Sequence, residues 1–242
     1  MIKTMQKVPL LLGLALLAGT FSACEDVLGV KGKGDVVTEV RDVDDFQAVE
    51  ISTNGYLELR VDSVYHVEVQ CEESVLPFLQ TIEDDGVLKI HFDRDVYDVD
   101  NLKITVSAPN WDAVTLNGSV KVDIPDAISG SLLDLRVSGS GDIRVFNADF
   151  AKVLTSITGS GDIDVNGAAD QLDCTISGSG SLDALGCPVL TVKVTISGSG
   201  NARLDVSESL QATISGSGDI EYRGNPQVTS NISGSGTVRK IP

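Results

Sequence analysis

Thr195-Ile196-Ser197-Gly198-Ser199-Gly200-Asn201-Ala202 is one copy of a stretch that recurs through the second half of the chain. The other copies are centred on Ser138–Gly141, Thr158–Gly161, Ser177–Gly180, Ser215–Gly218 and Ser233–Gly236. Their first glycines, from Gly139 through Gly159, Gly178, Gly198 and Gly216 to Gly234, are 20, 19, 20, 18 and 18 residues apart. A weaker copy, Asn117-Gly118-Ser119-Val120, lies 21 residues upstream of Gly139. A near-constant period of this length is the mark of a stacked supersecondary unit.

The register around the first glycine identifies that unit. Two residues before it stand Val137, Ile157, Ile176, Ile196, Ile214 and Ile232, and six before it stand Leu133, Val153, Leu172, Val192, Leu210 and Val228. Four after it stand Ile143, Ile163, Leu182, Ala202, Ile220 and Val238. Apolar residues thus keep even positions and polar residues odd ones, the period of a strand with one buried face. One coil of 18–21 residues holds two or three short strands, and each coil adds one rung. The expected fold class is all-β, a parallel β-helix or solenoid in which like residues stack in columns, apolar inside and Ser/Thr outside. Both glycines of each copy share the inward parity, so they are expected where the backbone bends or approaches an opposing wall. Turn chemistry at Asn147-Ala148-Asp149, Asn166-Gly167, Gly186-Cys187-Pro188 and Gly224-Asn225-Pro226 marks a second bend in each coil.

Upstream, residues 35–116 read as the N-terminal part of the same solenoid with an irregular cap, since terminal repeats usually differ. Around Gly55 the residues Val49, Ile51, Thr53, Leu57, Leu59 and Val61 repeat the even-position pattern. Segments 65–69, 87–92 and 102–106 read as further strands, and Glu72–Thr81 as one or two helical turns interrupted at Pro77. The domain boundaries are therefore 1–23 leader, 24–34 flexible tether, 35–116 cap and first rungs, and 117–242 repeat solenoid. Arg239-Lys240-Ile241-Pro242 would blunt an exposed sheet edge.

The leader has a positive start at Lys3 and Lys7 and an apolar run from Leu10 to Ala18, too short for a bilayer span. Phe21-Ser22-Ala23-Cys24 resembles the lipobox of bacterial lipoproteins, with Phe21 departing from the usual aliphatic residue. That resemblance implies diacylation of Cys24, a membrane partner through the lipid anchor, and an outer-membrane or cell-surface location. The competing reading is an ordinary signal peptide cut near Ala23. Removing residues 1–23 takes away two lysines and no acid, moving the formal charge from −17 to −19. Such a surface repels nucleic acid, which is not expected as a partner.

Phe46–Ser52, Gly55–Leu59, the Asp85–Ile90 strand and the repeated Ser-Gly-Ser-Gly-Asp-Ile pattern together resemble the head GIN domain proteins, also described as autotransporter-adhesin-like bacterial lipoproteins. The resemblance covers about residues 35–240. It implies a right-handed parallel β-helix and no established enzymatic activity.

Candidate chemistry is sparse. Gly141-Asp142, Gly161-Asp162 and Gly218-Asp219 suggest calcium, yet the same position holds Ser181, Asn201 and Thr237 elsewhere. What these residue types share is hydrogen bonding to nearby backbone, so a turn-capping role is expected and no metal. No cofactor is expected, because no phosphate-loop Lys follows the glycines. His66 and His91 read as strand residues. Of the cysteines beyond Cys24, Cys174 falls at a core position, and a Cys174–Cys187 disulfide is left open. The candidate binding face is the outward hydroxyl columns. Ser140, Ser160, Ser179, Ser199, Ser217 and Ser235 follow the first glycine; Ser177, Ser197 and Ser215 precede it; Thr175, Thr195 and Thr213 stand two residues further back. A non-catalytic envelope lipoprotein used for adhesion or scaffolding, contacting a glycan or a cell-surface or matrix ligand, fits this face. A carbohydrate-active β-helix enzyme acting on polysaccharide is the alternative.

Overall fold

The computed structural model describes residues 29–242. The leader and Cys24 lie outside the described residues. The repeat region is built from long strands: β10 (Ala113–Gly139), which runs through more than one coil, and then β11 (Asp142–Gly159), β12 (Asp162–Gly178), β13 (Ser181–Gly198) and β14 (Asn201–Gly216), each one coil of the solenoid. Each pairs in parallel with the next, in the register fixed by the repeat, so that Val137, Ile157, Ile176, Ile196 and Ile214 stack directly. All five are buried. The last full coil is split into β15 (Asp219–Arg223) and β16 (Gln227–Gly234), and β17 (Thr237–Lys240) begins one more rung on β15. Register shifts between Ile124 and Ala127, Val145 and Ala148, Asp164 and Ala169, and Ala184 and Pro188 mark the second bend of successive coils.

The two glycines of each copy do different things. The second one follows the expectation: Gly180 is buried, and a Cβ there would lie 2.7 Å from Ile157 Cγ2 and closer still to the carbonyl oxygen of Gly161 one coil earlier. The first does not point inward. It sits half-buried on the corner with φ between +122° and +136° from Gly139 to Gly234. What excludes a side chain there is the carbonyl of the glycine one coil earlier. That carbonyl also accepts two bonds: Gly159 O takes Ser179 N at 2.8 Å and Gly180 N at 3.2 Å. The corner therefore turns by stacking bare backbone on bare backbone.

The N-terminal part is more regular than expected. Its strands are β1 (Val30–Lys31), β2 (Val36–Arg41), β3 (Ala48–Ser52), β4 (Asn54–Val61), β5 (His66–Glu72), β6 (Leu79–Asp84), β7 (Val87–Phe92), β8 (Val96–Tyr97) and β9 (Lys103–Ala108). β3 and β4 form a coil in parallel with β10. Gly55 aligns with Val120, in the column of the second glycine rather than the first. Antiparallel strands then close this end: β6 on β7 over one face, and β5 on β9 with β2 outermost over the other. Between Glu72 and Thr81 only Leu76–Phe78 turns, as a short 3-10 helix with Pro77 in its first turn. Trp111 is fully buried beneath this cap, with Phe46 5.9 Å from it and its indole N–H donating to Arg60 O at 3.1 Å.

Residues 29–34, expected in a flexible tether, are instead docked. β1 pairs in parallel with β8, Lys33 N donates to Ser74 Oγ at 2.9 Å, and Lys31 pairs with Asp98 at 3.1 Å. Gly29 and Gly32 leave no room for a side chain against Asp95 and Asp98. This close packing gives the segment enough backbone contact to be ordered. The open question of a disulfide is settled as well. Cys71, Cys174 and Cys187 are free, buried thiols, with Cys174 in the stacked core and Cys187 at the second bend.

Candidate functional site

The parallel register brings all twelve predicted hydroxyl residues onto one strip along the corner of the solenoid. Ser177, Ser197 and Ser215 are register partners, as are Thr175, Thr195 and Thr213. Ser140, Ser160, Ser179, Ser199, Ser217 and Ser235 continue the strip on the far side of the first glycine. Ten of the twelve are exposed; Thr195 and Thr213 are half-buried. Strand spacing sets neighbouring hydroxyls of one column about 4.8 Å apart. Among the described residues, none of these hydroxyls is held in a side-chain hydrogen bond. The backbone beneath them is already satisfied by the doubly accepting glycine carbonyls. Free donors and acceptors therefore stand on a base that does not reorganise when they are used.

A second surface lies just past the corner, and the sequence pattern announces only half of it. Three residues after the first glycine run Lys121, Asp142, Asp162, Ser181, Asn201, Asp219 and Thr237. Here the side chains cap backbone as expected, but one coil ahead instead of locally. Asp162 Oδ1 accepts from Ser181 N at 2.8 Å, Asn201 Oδ1 from Asp219 N at 3.1 Å, and Asp219 Oδ1 from Thr237 N at 2.9 Å. Where the column holds the shorter Ser181, the Asn201 amide bonds Gly180 O instead. Among the described residues no three His, Cys, Asp or Glu side chains converge to hold a metal ion.

Five residues after the first glycine every coil is charged: Asp123, Arg144, Asp164, Asp183, Arg203, Glu221 and Arg239. This column was legible in the sequence, since no copy departs from it, but parity alone labels it merely outward. It forms a ladder of ion pairs. Arg203 bridges Asp183 at 2.8 Å and Glu221 at 3.5 Å, Arg144 lies 4.0 Å from Asp123 and 3.9 Å from Asp164, and Arg239 pairs with Glu221. The alternation fails once, where Asp164 stacks on Asp183. Partial burial, and then the Asp183 charge, push the Asp164 carboxyl above its usual value. Two hollows of about 260 and 400 Å³ open between the two columns and share Ser181 and Asp183 as wall.

The histidines are not brought together with these columns. His66 lies on β5 opposite Ser107, and His91 on β7 opposite Gln80.

A family model described as putative auto-transporter adhesin, head GIN domain, matches residues 45–226. Solved structures share the fold. A putative adhesin from Bacteroides fragilis NCTC 9343 is 22% identical with a TM-score of 0.84, over 88% of this chain and 100% of that one. A putative lipid binding protein from Parabacteroides distasonis ATCC 8503 is 21% identical with a TM-score of 0.74, over 88% and 99%. A putative adhesin from Parabacteroides merdae ATCC 43184 is 25% identical with a TM-score of 0.70, over 88% and 99%. A comparison with curated proteins gave no match.

Proposed function

We propose, on the premise that the chain belongs to the putative auto-transporter adhesin, head GIN domain family, that it is a non-catalytic, lipid-anchored adhesin of the bacterial envelope. Its ligand is a repetitive glycan or matrix chain, held along the strip of Ser and Thr hydroxyls. The observation that carries this reading is the free hydroxyl columns at rung spacing on a backbone-saturated corner. A polymer with regularly spaced hydroxyls finds a donor and an acceptor at each coil. Each contact is weak, and affinity comes from many made at once. The strip carries no charge, so binding is largely indifferent to salt.

The test is binding of the purified protein to a glycan and matrix array, against a variant with Ser179→Glu and Ser199→Glu. Both positions are exposed, so the variant keeps the melting point of the parent while losing binding. A bare array for the parent, or unchanged binding by the variant, refutes the strip as the site. Anchoring is tested separately by acyl labelling in cells, which Cys24→Ser abolishes if the lipobox reading holds.

A second reading rests on the stacked Asp164 and Asp183 beside the hollow. Two carboxyl groups side by side, one of them raised, are what a polysaccharide-cleaving enzyme builds for its acid and its partner. Release of reducing ends from a polysaccharide panel, abolished by Asp183→Asn, would establish it in place of the first.

A further inference from the structure

We infer that copies of this chain join head to tail along the solenoid axis, the β17 edge of one copy pairing in parallel with the β2 edge of the next. The continuous sheet runs from β17 through β15, β14, β13, β12, β11, β10, β4, β9 and β5 to β2, and among the described residues its two outermost strands each have one unpaired side. Both belong to the same face of the solenoid. Their directions also agree. β17 runs parallel to β15 and to the coils below it, down to β4 and β9. β5 is antiparallel to β9, and β2 is antiparallel to β5, which restores the original direction in β2. A second copy translated along the axis therefore continues the ladder without reversing a strand.

The core and the charges favour the same contact. Val238 and Val37 are the half-buried apolar residues at the two ends of the stacked core. Placing Val238 opposite Val37 sets Lys240 opposite Glu39 by the parallel register. Among the described residues, Lys240 otherwise bonds only the Asn225 amide oxygen at 2.6 Å, and Glu39 has a single partner, Arg41 at 2.8 Å. The tail edge carries Arg239 and Lys240 in a chain of net charge −17, whereas the head edge is flanked by Asp35, Asp42, Asp44 and Asp45. Two tails or two heads brought together would oppose like charges, so only unlike ends meet. The same lysine that blunts random edge pairing thus selects one partner. Because the two surfaces differ, the contact does not close at a dimer.

Sedimentation of the purified protein across a concentration series tests this. The expected result is a mass that rises past the dimer with concentration and falls with added salt. Lys240→Glu alone and Glu39→Lys alone each weaken association at least about tenfold, because each places like charges in the contact. Mixing the two variants restores it, since every junction between unlike variants then meets an opposite charge. Far-UV circular dichroism checks that both variants remain folded. A monomer at every concentration up to about 1 mM, where only affinities weaker than about −4 kcal/mol would escape detection, overturns the inference. So does a dimer that grows no further, or a mixture no more associated than its components.

Discussion

Substituting Gly178 and Gly86 by alanine separates the two constraints that a glycine meets in this fold. Gly86 closes the β6–β7 hairpin with φ +77°, and a Cβ built there meets nothing within 4 Å. Gly86→Ala therefore carries only the left-handed backbone penalty, about 1–2 kcal/mol. Gly178 sits on the corner with φ +136°. A Cβ there lies 3.0 Å from the Gly159 carbonyl carbon, 3.1 Å from Gly159 N, and nearer still to the oxygen. Its backbone region is close to glycine-only, worth about 1–3 kcal/mol of strain. The neighbouring atoms belong to a hydrogen-bonded rung that cannot retreat, which adds the roughly 1–3 kcal/mol of overpacking. Gly178→Ala should lose about 4 kcal/mol. For a domain of this size that lowers the melting point by roughly 8–16 °C, against roughly 2–8 °C for Gly86→Ala. Thermal melts followed by far-UV circular dichroism and by the single tryptophan, Trp111 in the cap, are the assay. The two probes also show whether damage in one coil spreads to the cap or stays local, as neighbour-coupled repeats allow. If Gly178→Ala melts no lower than Gly86→Ala, the stacked-carbonyl account of the Ser-Gly-Ser-Gly corner is wrong.

Three further outcomes follow from buried and half-buried groups. Thr155 stands in a core column where its hydroxyl has only the weak Cys174 thiol beside it, so Thr155→Val should raise stability by about 1 kcal/mol in urea unfolding. Burial pushes the Cys174 thiol up to about 12, and the Cys71 and Cys187 thiols up to about 11, so none should react with a thiol reagent at pH 8 until the protein unfolds. Asp164 holds its proton more tightly folded than unfolded, so its contribution to stability declines as pH rises from its unfolded to its folded pKa. Asp164→Asn should accordingly raise the melting point at pH 7 and give a smaller gain in acid, measured by melts across that range.

The repeat made the solenoid legible because parity and period are properties of a single coil. Ile176 and Ile196 stack because they hold the same place in a coil, and no long-range information is needed to see it. The role of Gly178 was not legible in the same way. Its even position matches the core residues, but the corner rotates it out of the core and onto its neighbour, and parity cannot register a turn. The cap escaped for a different reason. β2, β5 and β9 pair antiparallel across connections of unequal length, so nothing in the spacing of Thr38, Gln70 and Lys103 announces that they adjoin. Docking of residues 29–34 depends on Gly29 and Gly32 fitting a loop more than sixty residues away, and a glycine-rich run reads equally well as a tether. The charged column was present in every coil. Outward residues are usually free to vary, so parity alone gives these no significance, although their charge is kept in every copy.

The two outward surfaces differ in kind, and that difference bears on how the fold could work as an adhesin. The hydroxyl strip is uncharged and repeats along the axis, while the charged groups that select a neighbour are confined to the ends. Head-to-tail joining would leave the strip uncovered, because pairing occupies only the rims of β17 and β2. It would also extend the strip in its own direction, coil after coil, into the next copy. Weak contacts made along two copies reinforce one another by about 10²–10⁴-fold when the geometry allows both to engage. Salt then acts on the two steps separately. It should loosen the junction through Lys240 and Glu39 and so lower avidity for a long glycan, while leaving the contact of a single copy with a short one nearly unchanged. Equal salt sensitivity for short and long ligands would show instead that charge acts in the binding contact itself, and would shift attention from the hydroxyl strip to the ladder from Asp123 to Arg239.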